Sequence, residues 1–185
     1  MSRRTWLVAA GVLLAVVVAG ALVFEPWLLV VDETVDEADE TTTVVGTAEG
    51  GLTDTAVPSP TGSAPTRVVL ASADFIDAEH GTSGTATIYR RSDGTRYLRL
   101  EDLDTSNGPD LHVWLTDRPS GGDCRGCRRS WGIYDDGDVV RLGPLKGNQG
   151  DQSYPIPDDA DLAGLTSVVI WCDRFDVAFG TADLT

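Results

Sequence analysis

The chain has 185 residues, a formal net charge of -15 and a sequence pI of about 4.2. Such a charge disfavours nucleic acids and anionic lipid surfaces as partners, because binding to either depends on Lys and Arg side chains that neutralise phosphates. A cationic partner, or simply high solubility, fits the charge better. The length is enough for one domain of ordinary size with additional segments.

The N-terminal segment is apolar and carries no charge from Trp6 to Phe24. Its length is close to the roughly 20 residues that a helix needs to cross a bilayer, and two arginines precede it. We therefore expect residues 1–31 to form a single-pass anchor in the cell membrane, with a cytoplasmic N-terminus and the rest of the chain on the outer face. The rival interpretation is a secretory signal that is cleaved near Ala19-Gly20-Ala21.

Residues 32–66 contain eight acidic residues and no Lys or Arg, and Thr, Ala, Gly, Ser and Pro make up most of the remainder. Such a composition cannot bury enough apolar surface to offset the entropy of ordering. We expect a flexible linker with an r.m.s. reach of about 30–35 Å. Residues 67–185 then form the folded domain, which contains all three cysteines and both histidines.

A β-hairpin is predicted in the first half of this domain. Thr85–Tyr89 and Tyr97–Leu103 flank an Asp-Gly turn signal. A three-residue loop with Gly94 in the left-handed region places Ile88 opposite Leu98, whereas a two-residue loop places it opposite a charged residue. The first register keeps the apolar side chains on one face, so we expect a bulge at Gly94.

Other short apolar or alternating segments are separated by turn residues, which is typical of an antiparallel β-sandwich or barrel-like domain. Asp158–Leu165 is the one place where a helical turn or two is expected. Gln152–Pro157 contains two prolines, which suits a sheet edge, and Ser167–Cys172 is apolar on both faces, as in a central strand. The further expected strands are Leu111–Thr116, Val139–Gly143 and one that begins at Val177–Phe179.

Three cysteines on the oxidising side of a membrane leave at least one thiol without an intramolecular partner. Cys124 and Cys127 lie in a Gly- and Arg-rich loop, where a local disulfide is the first interpretation. A redox pair and half of a zinc site are the alternatives, but the loop lacks the helix that a thioredoxin-type pair needs and zinc needs four ligands.

Cys172 shares a strand face with Ile170 and Val168, so its default role is that of a small buried hydrophobe. Asp173 follows at once, which places the thiol near the end of the domain. A thiolate there is a candidate redox group or metal ligand. His112 and His80 are further candidate ligands of a cofactor, although a lone histidine is more often packed or hydrogen-bonded, and no metal is indicated by the spacing.

Four segments together resemble the DM-thirteen family, a proposed extracellular electron-transfer domain. They are His80–Ala86, Gly108–Leu115, Leu142–Pro157 and Ser167–Leu184. The resemblance implies an all-β domain in which Cys172 acts in redox chemistry, as a thiol or as a ligand to haem or another metal. Phe24–Ala38 is also similar to the segment that follows the membrane helix in single-pass bacterial members. The Cys124/Cys127 pair is not part of the family pattern, and a bridge from Cys172 to one of these two cysteines is the alternative to a free thiol.

Two functions follow from these observations. The first is a membrane-tethered domain on the outer face that transfers electrons to or from a redox or cell-surface protein through Cys172. The alternative is a non-redox binding or adhesion module in which Cys172 is structural and the basic loop around Cys124 meets the ligand. The sequence contains no catalytic constellation that supports a hydrolase, and it does not decide whether the protein is an enzyme.

Overall fold

The computed structural model of the chain describes residues 3–24, 31–39, 67–122 and 130–185. Helix α1 covers Arg3–Phe24, and two single 3-10 turns lie at Ser120–Gly122 and Ser130–Gly132. The strands are β1 (Thr34–Asp36), β2 (Arg67–Asp77), β3 (Thr82–Arg91), β4 (Arg96–Thr105), β5 (Leu111–Thr116), β6 (Val139–Pro144), β7 (Gln149–Ile156), β8 (Ser167–Cys172) and β9 (Val177–Asp183).

The nine described strands form one sheet in the order β1-β7-β4-β3-β2-β9-β8-β5-β6. Every neighbouring pair is antiparallel except β1 and β7. Strand β2 joins the two halves, because its first part pairs with β3 and its last three residues, Phe75–Asp77, pair with β9. The sheet curls around this strand into an open half-barrel, which confirms the all-β class.

The core lies between the two halves of the curled sheet. Buried side chains of β3, β4 and β7 meet those of β5, β8 and β9 in an inner cluster, which includes Leu98, Leu100, Val113, Ile170 and Phe179. Each such side chain contributes about 1.5–3 kcal/mol when it leaves water. A second, outer cluster lies on the other face of β5 and β8, under the segment that follows residue 130; it comprises Trp114, Ile133, Tyr134, Val169, Trp171 and Ala178.

The β3–β4 hairpin has the predicted register. Ile88 pairs with Leu98 and Ala86 pairs with Leu100. Gly94 has a φ of 91°, and its N–H donates to the Arg91 carbonyl at 3.0 Å. The burial of one apolar face has therefore selected the bulged turn.

The remaining predicted strands are confirmed, whereas the connection from β7 to β8 differs from its prediction. Every residue of β8 is buried, because the strand lies between β9 and β5. The helical turn predicted at Asp158–Leu165 is wrong: two separate turns close there, from Ala160 N–H to Pro157 and from Leu165 N–H to Leu162. Gly164 lies at a φ of 89°, a conformation that a helix does not contain.

Strand β2 has no counterpart among the predicted strands. A register shift between Val69 and Ala71 interrupts its alternation, and three consecutive apolar side chains, Val68 to Leu70, are exposed. Apolar and polar residues therefore do not alternate at this point of the sequence, although the backbone of β2 remains paired with β3.

The first residues of the predicted flexible linker are part of the fold. Thr34–Asp36 form β1, which pairs in parallel with Gln149–Asp151 of β7. Composition alone assigned residues 32–39 to a tether, because their acidic side chains bury little apolar surface; the structure instead gives them backbone and ionic partners. Residues 40–66 of that linker lie outside the described residues, as does the predicted Cys124/Cys127 disulfide.

Helix α1 coincides with the apolar N-terminal segment, and large apolar side chains such as Trp6, Leu13 and Leu22 are exposed on it. Among the residues described, no helix combines the length and the hydropathy of a membrane span. The membrane anchor stays a prediction.

Candidate functional site

Cys172 is the last residue of β8, and Leu111 is its partner on β5. Its side chain is fully buried in the inner cluster, on the same face as Ile170 and Val168, as the alternation predicts. It forms no disulfide, so the described part of the chain holds one free thiol.

Two opposing influences act on the pKa of the Cys172 thiol. Burial raises it, and the backbone N–H groups of Phe175 and Arg174 lower it; the Asp110 carboxylate raises it while the Asp110 backbone lowers it again. Burial prevails, so the pKa lies above the ordinary value of 9.0. The thiol is therefore neutral at physiological pH, and the backbone N–H groups of Phe175 and Arg174 are near enough to the sulfur to lower its pKa in part.

The turn from Asp173 to Asp176 directly follows Cys172 and connects β8 to β9. The Phe175 N–H donates to the Cys172 carbonyl at 3.3 Å. Asp176 has a φ of 50°, which is uncommon outside glycine. The Phe175 side chain is 49% exposed, so little apolar burial holds the turn closed.

The surroundings of Cys172 do not fit a haem or metal ligated by its sulfur. The side chain is packed among apolar neighbours, and it lines none of four surface cavities of about 230 to 520 Å³ in the described residues. A macrocycle needs an apolar cavity at the ligating atom. Neither of the two predicted histidine ligands shares a metal-sized cluster with this thiol among the described residues.

His112 lies on the opposite face of β5 from the inner cluster and pairs with Trp171. Its Nε2 atom is 3.0 Å from an Asp110 carboxylate oxygen and 3.5 Å from one of Asp173. The imidazole is 25% exposed, and the two carboxylates are 45% and 40% exposed.

The ligand-type atoms of Asp110, His112 and Asp173 all lie within 4.8 Å of one another. Carboxylate oxygens and an imidazole nitrogen suit a divalent first-row metal, and equally an ion pair between protonated histidine and aspartate. The carboxylate of Asp135 also lies in this region. Burial and repulsion by Asp136, Asp176 and Asp173 raise its pKa, which shows that negative charge is concentrated at this end of the domain.

The predicted ligand His80 is elsewhere. Its ring packs against Phe179 with centroids 3.9 Å apart. Phe179 belongs to the inner cluster, so His80 covers the core that also contains Cys172. The three predicted cofactor ligands thus do not converge: one is inside the sheet, one is outside it and one caps an aromatic ring.

Asp110 and Asp173 were not singled out together by the sequence, although a signal existed. Asp110 directly precedes β5 and Asp173 directly follows β8. Because these strands are antiparallel neighbours, the start of one meets the end of the other. Pairing the two predicted strands would have placed both aspartates beside His112.

Comparison with known families identifies the domain. The profile described as Electron transfer DM13 matches residues 74–184, which is more than half of the chain. No curated protein and no solved structure matches the sequence. The match spans β3 to β9 and the end of β2, including Cys172 and His112. The chain therefore belongs to the electron transfer DM13 family, and a general role in electron transfer follows from that membership.

Proposed function

We propose that this domain transfers electrons through the thiol of Cys172 itself. The observation that carries the proposal is the environment of the sulfur: a free thiol at the end of a central strand, buried in the inner cluster, and next to a short turn whose backbone N–H groups act on its pKa. Burial protects the sulfur from indiscriminate oxidation, because susceptibility follows exposure. The N–H groups stabilise any negative charge that develops on it.

Loss of an electron from a neutral thiol is accompanied by loss of its proton. The raised pKa of Cys172 makes this coupling necessary at neutral pH. The electron passes to the oxidised partner protein, the S–H bond breaks and its proton passes to solvent, and Cys172 is left as a neutral thiyl radical. We expect the midpoint potential to fall by about 59 mV per pH unit for a one-electron, one-proton couple.

The partner is a redox protein that docks at the end of the sheet formed by the β8–β9 turn and the start of β5. The carboxylates of Asp110, Asp173 and Asp176 favour a basic docking surface on that partner. Such electrostatic steering raises the association rate and weakens with salt.

We further propose that the domain works on the outer face of the cell membrane, held by helix α1. The exposed apolar side chains of that helix and the two arginines at its start support the proposal. Separation of membranes from soluble material tests attachment. Recovery of the full chain, uncleaved, in the soluble fraction would contradict it.

The test of the redox group compares the wild-type chain with Cys172→Ala under anaerobic titration. The wild type should take up and release electrons in proportion to protein, and the variant should lose this capacity. His112→Gln is the matched control, because it removes a metal-ligand type of side chain from the same end while leaving the thiol in place. Electron uptake that Cys172→Ala leaves unchanged would refute the thiol proposal, and its loss in His112→Gln would point to the acidic cluster instead.

The non-redox binding module is not favoured by the family match. Its contact surface, the loop around Cys124, lies outside the described residues, and full burial of Cys172 is compatible with either role. The same titration decides between the two, since in a binding module the Cys172→Ala change leaves electron uptake unaltered.

A further inference from the structure

Residues 31–39, which we call the strap, are held against the edge of β7 by a continuous set of contacts. The Glu33 N–H donates to the side-chain oxygen of Asn148 at 2.7 Å, and the Glu33 carbonyl accepts from Gln149 N–H at 3.2 Å. Further along, the Glu37 N–H donates to the Asp151 carbonyl at 2.9 Å. A sheet edge that would otherwise be open is thus covered by the chain's own strand.

The acidic side chains of the strap also have partners. One Glu37 carboxylate oxygen accepts from Lys146 Nζ at 2.6 Å, and the other accepts from the Ser153 N–H at 2.7 Å. Partial burial opposes ionisation of Glu37, but these hydrogen bonds prevail and its pKa lies below the ordinary value of 4.5. The contacts are specific for a carboxylate at this position.

The strap passes so close to two glycines of the domain that neither position has room for a side chain. A Cβ atom on Gly147 would overlap the Glu33 carbonyl and come within 2.7 Å of Val35 Cγ2. A Cβ atom on Gly150 would overlap the Val35 carbonyl. At Gly147 no positive φ requires glycine, so the close approach of the strap is the reason that a side chain is excluded.

The end of the strap is tied to the start of β2. Asp39 forms an ion pair with Arg67, and the Arg67 guanidinium also stacks 4.0 Å from the centre of the Tyr89 ring. Asp39 and Arg67, which flank residues 40–66, are therefore in contact. The number of residues between them does not set the distance from α1 to the domain.

We propose that the strap fixes the β domain directly behind helix α1, so that the acidic segment 40–66, which the Asp39–Arg67 ion pair flanks, is not the tether between them. Phe24 and Val31 are seven residues apart, a span of at most about 25 Å in extended chain. Residues 32–66, taken as a tether, would have allowed a much larger and variable separation.

The strap also determines which end of the domain lies near α1. The Asn107 side chain donates to the Val31 carbonyl at 3.0 Å, three residues before Asp110 at the Cys172 end. The electron-transfer end therefore stands close behind the helix, and its redox partner is met there. This last step rests on the proposed function; the strap itself does not.

Amide hydrogen exchange on the full chain tests the strap, with Gly147→Ala as the variant. In the wild type, a peptide covering residues 32–38 should exchange at least about tenfold more slowly than unstructured chain. Gly147→Ala should remove this protection while peptides from β4 and β8 keep theirs. Gly81→Ala is the control, because the nearest atom to its Cβ is 4.0 Å away.

Exchange of residues 32–38 at the unstructured rate in the wild type would overturn the proposal, as would protection that Gly147→Ala leaves unchanged. If Gly147→Ala also speeds exchange in β8, the measurement is repeated with Glu37→Gln. That change weakens the contacts of the strap with Lys146 and Ser153 without altering a residue of the β domain. None of these outcomes depends on Cys172, so failure of the strap and failure of the redox proposal are separable.

Discussion

The Asp173 N–H donates to the Asp110 carbonyl at 3.0 Å, which joins the end of β8 to the start of β5 just beyond Cys172. This bond holds the two aspartates on either side of His112 on the outer face, while the thiol remains on the inner face. The redox thiol and the exposed acidic cluster are thus adjacent in the backbone but separated by the sheet.

Reactivity of the thiol in the folded protein should be low at neutral pH. Because burial raises the pKa of Cys172, we expect alkylation at pH 8 to be much slower in the folded chain than in denaturant. The same shift makes the free energy of unfolding fall as pH rises past the ordinary thiol value of 9.0, since only the unfolded state then loses the proton. Mass-spectrometric rates of iodoacetamide labelling check this. Labelling of the folded protein at the denatured rate would contradict it.

The choice of substitution at Cys172 should matter for stability. Cys172→Ser places a hydroxyl in an apolar cluster and should destabilise the domain by about 1–3 kcal/mol. Cys172→Ala loses only a small apolar group and should cost less, about 1 kcal/mol. Urea unfolding of both variants measures the difference. Equal stability of the two would show that the sulfur is less enclosed than the structure indicates.

Asp151 neutralises a buried arginine on the outer face of the sheet. Arg99 is 2% exposed, and its Nη2 atom lies 2.8 Å from Asp151 Oδ2. Asp151→Ala should destabilise the domain by about 2–3 kcal/mol, because it removes the carboxylate that pairs with a buried guanidinium, although Asp151 itself is partly exposed. Asp158→Ala, at an exposed position, is the matched control. Equal unfolding temperatures of the two variants would disprove the stabilising role of Asp151.

Glu37 should give the strap a characteristic pH dependence. Glu37→Gln is expected to lower stability by at most about 1 kcal/mol at pH 7, since both partners of the ion pair are partly exposed. The folded pKa of Glu37 is lowered, so its contribution is present above pH 4.5 and is lost as pH falls through the folded value. Unfolding curves of wild type and variant should therefore converge in acid. A difference that persists unchanged at pH 3 would exclude an ionic origin.

Much of the fold could be predicted from the sequence where one apolar face determines the structure. The Ile88–Leu98 register and the buried strand that ends at Cys172 follow from alternation alone. Strand β2 could not be found in this way, because its bulge breaks the alternation at Val69. The strap was missed for a different reason: its stability comes from backbone pairing and from Lys146, which is more than a hundred residues away in sequence.

The site was predicted in part. The position and face of Cys172 could be predicted from its strand. Its separation from His112 could not, because it depends on the pairing of β8 with β5. Cys172 lies opposite Leu111, whose side chain points to the other face of the sheet from that of His112. Both residues were candidate ligands of a cofactor, whereas the strand geometry places them on opposite faces of the sheet. The packing of His80 on Phe179 depends on a loop that carries no period at all.

The central claim is that Cys172 carries the electrons, and redox-poised thiol mapping tests it most directly. The full chain is equilibrated at a series of potentials, denatured in alkylating reagent, and the labelled fraction of Cys172 is compared with the electrons taken up by the protein. The account predicts that the two quantities change together, with the same midpoint. Electron uptake while Cys172 stays fully labelled at every potential would contradict it.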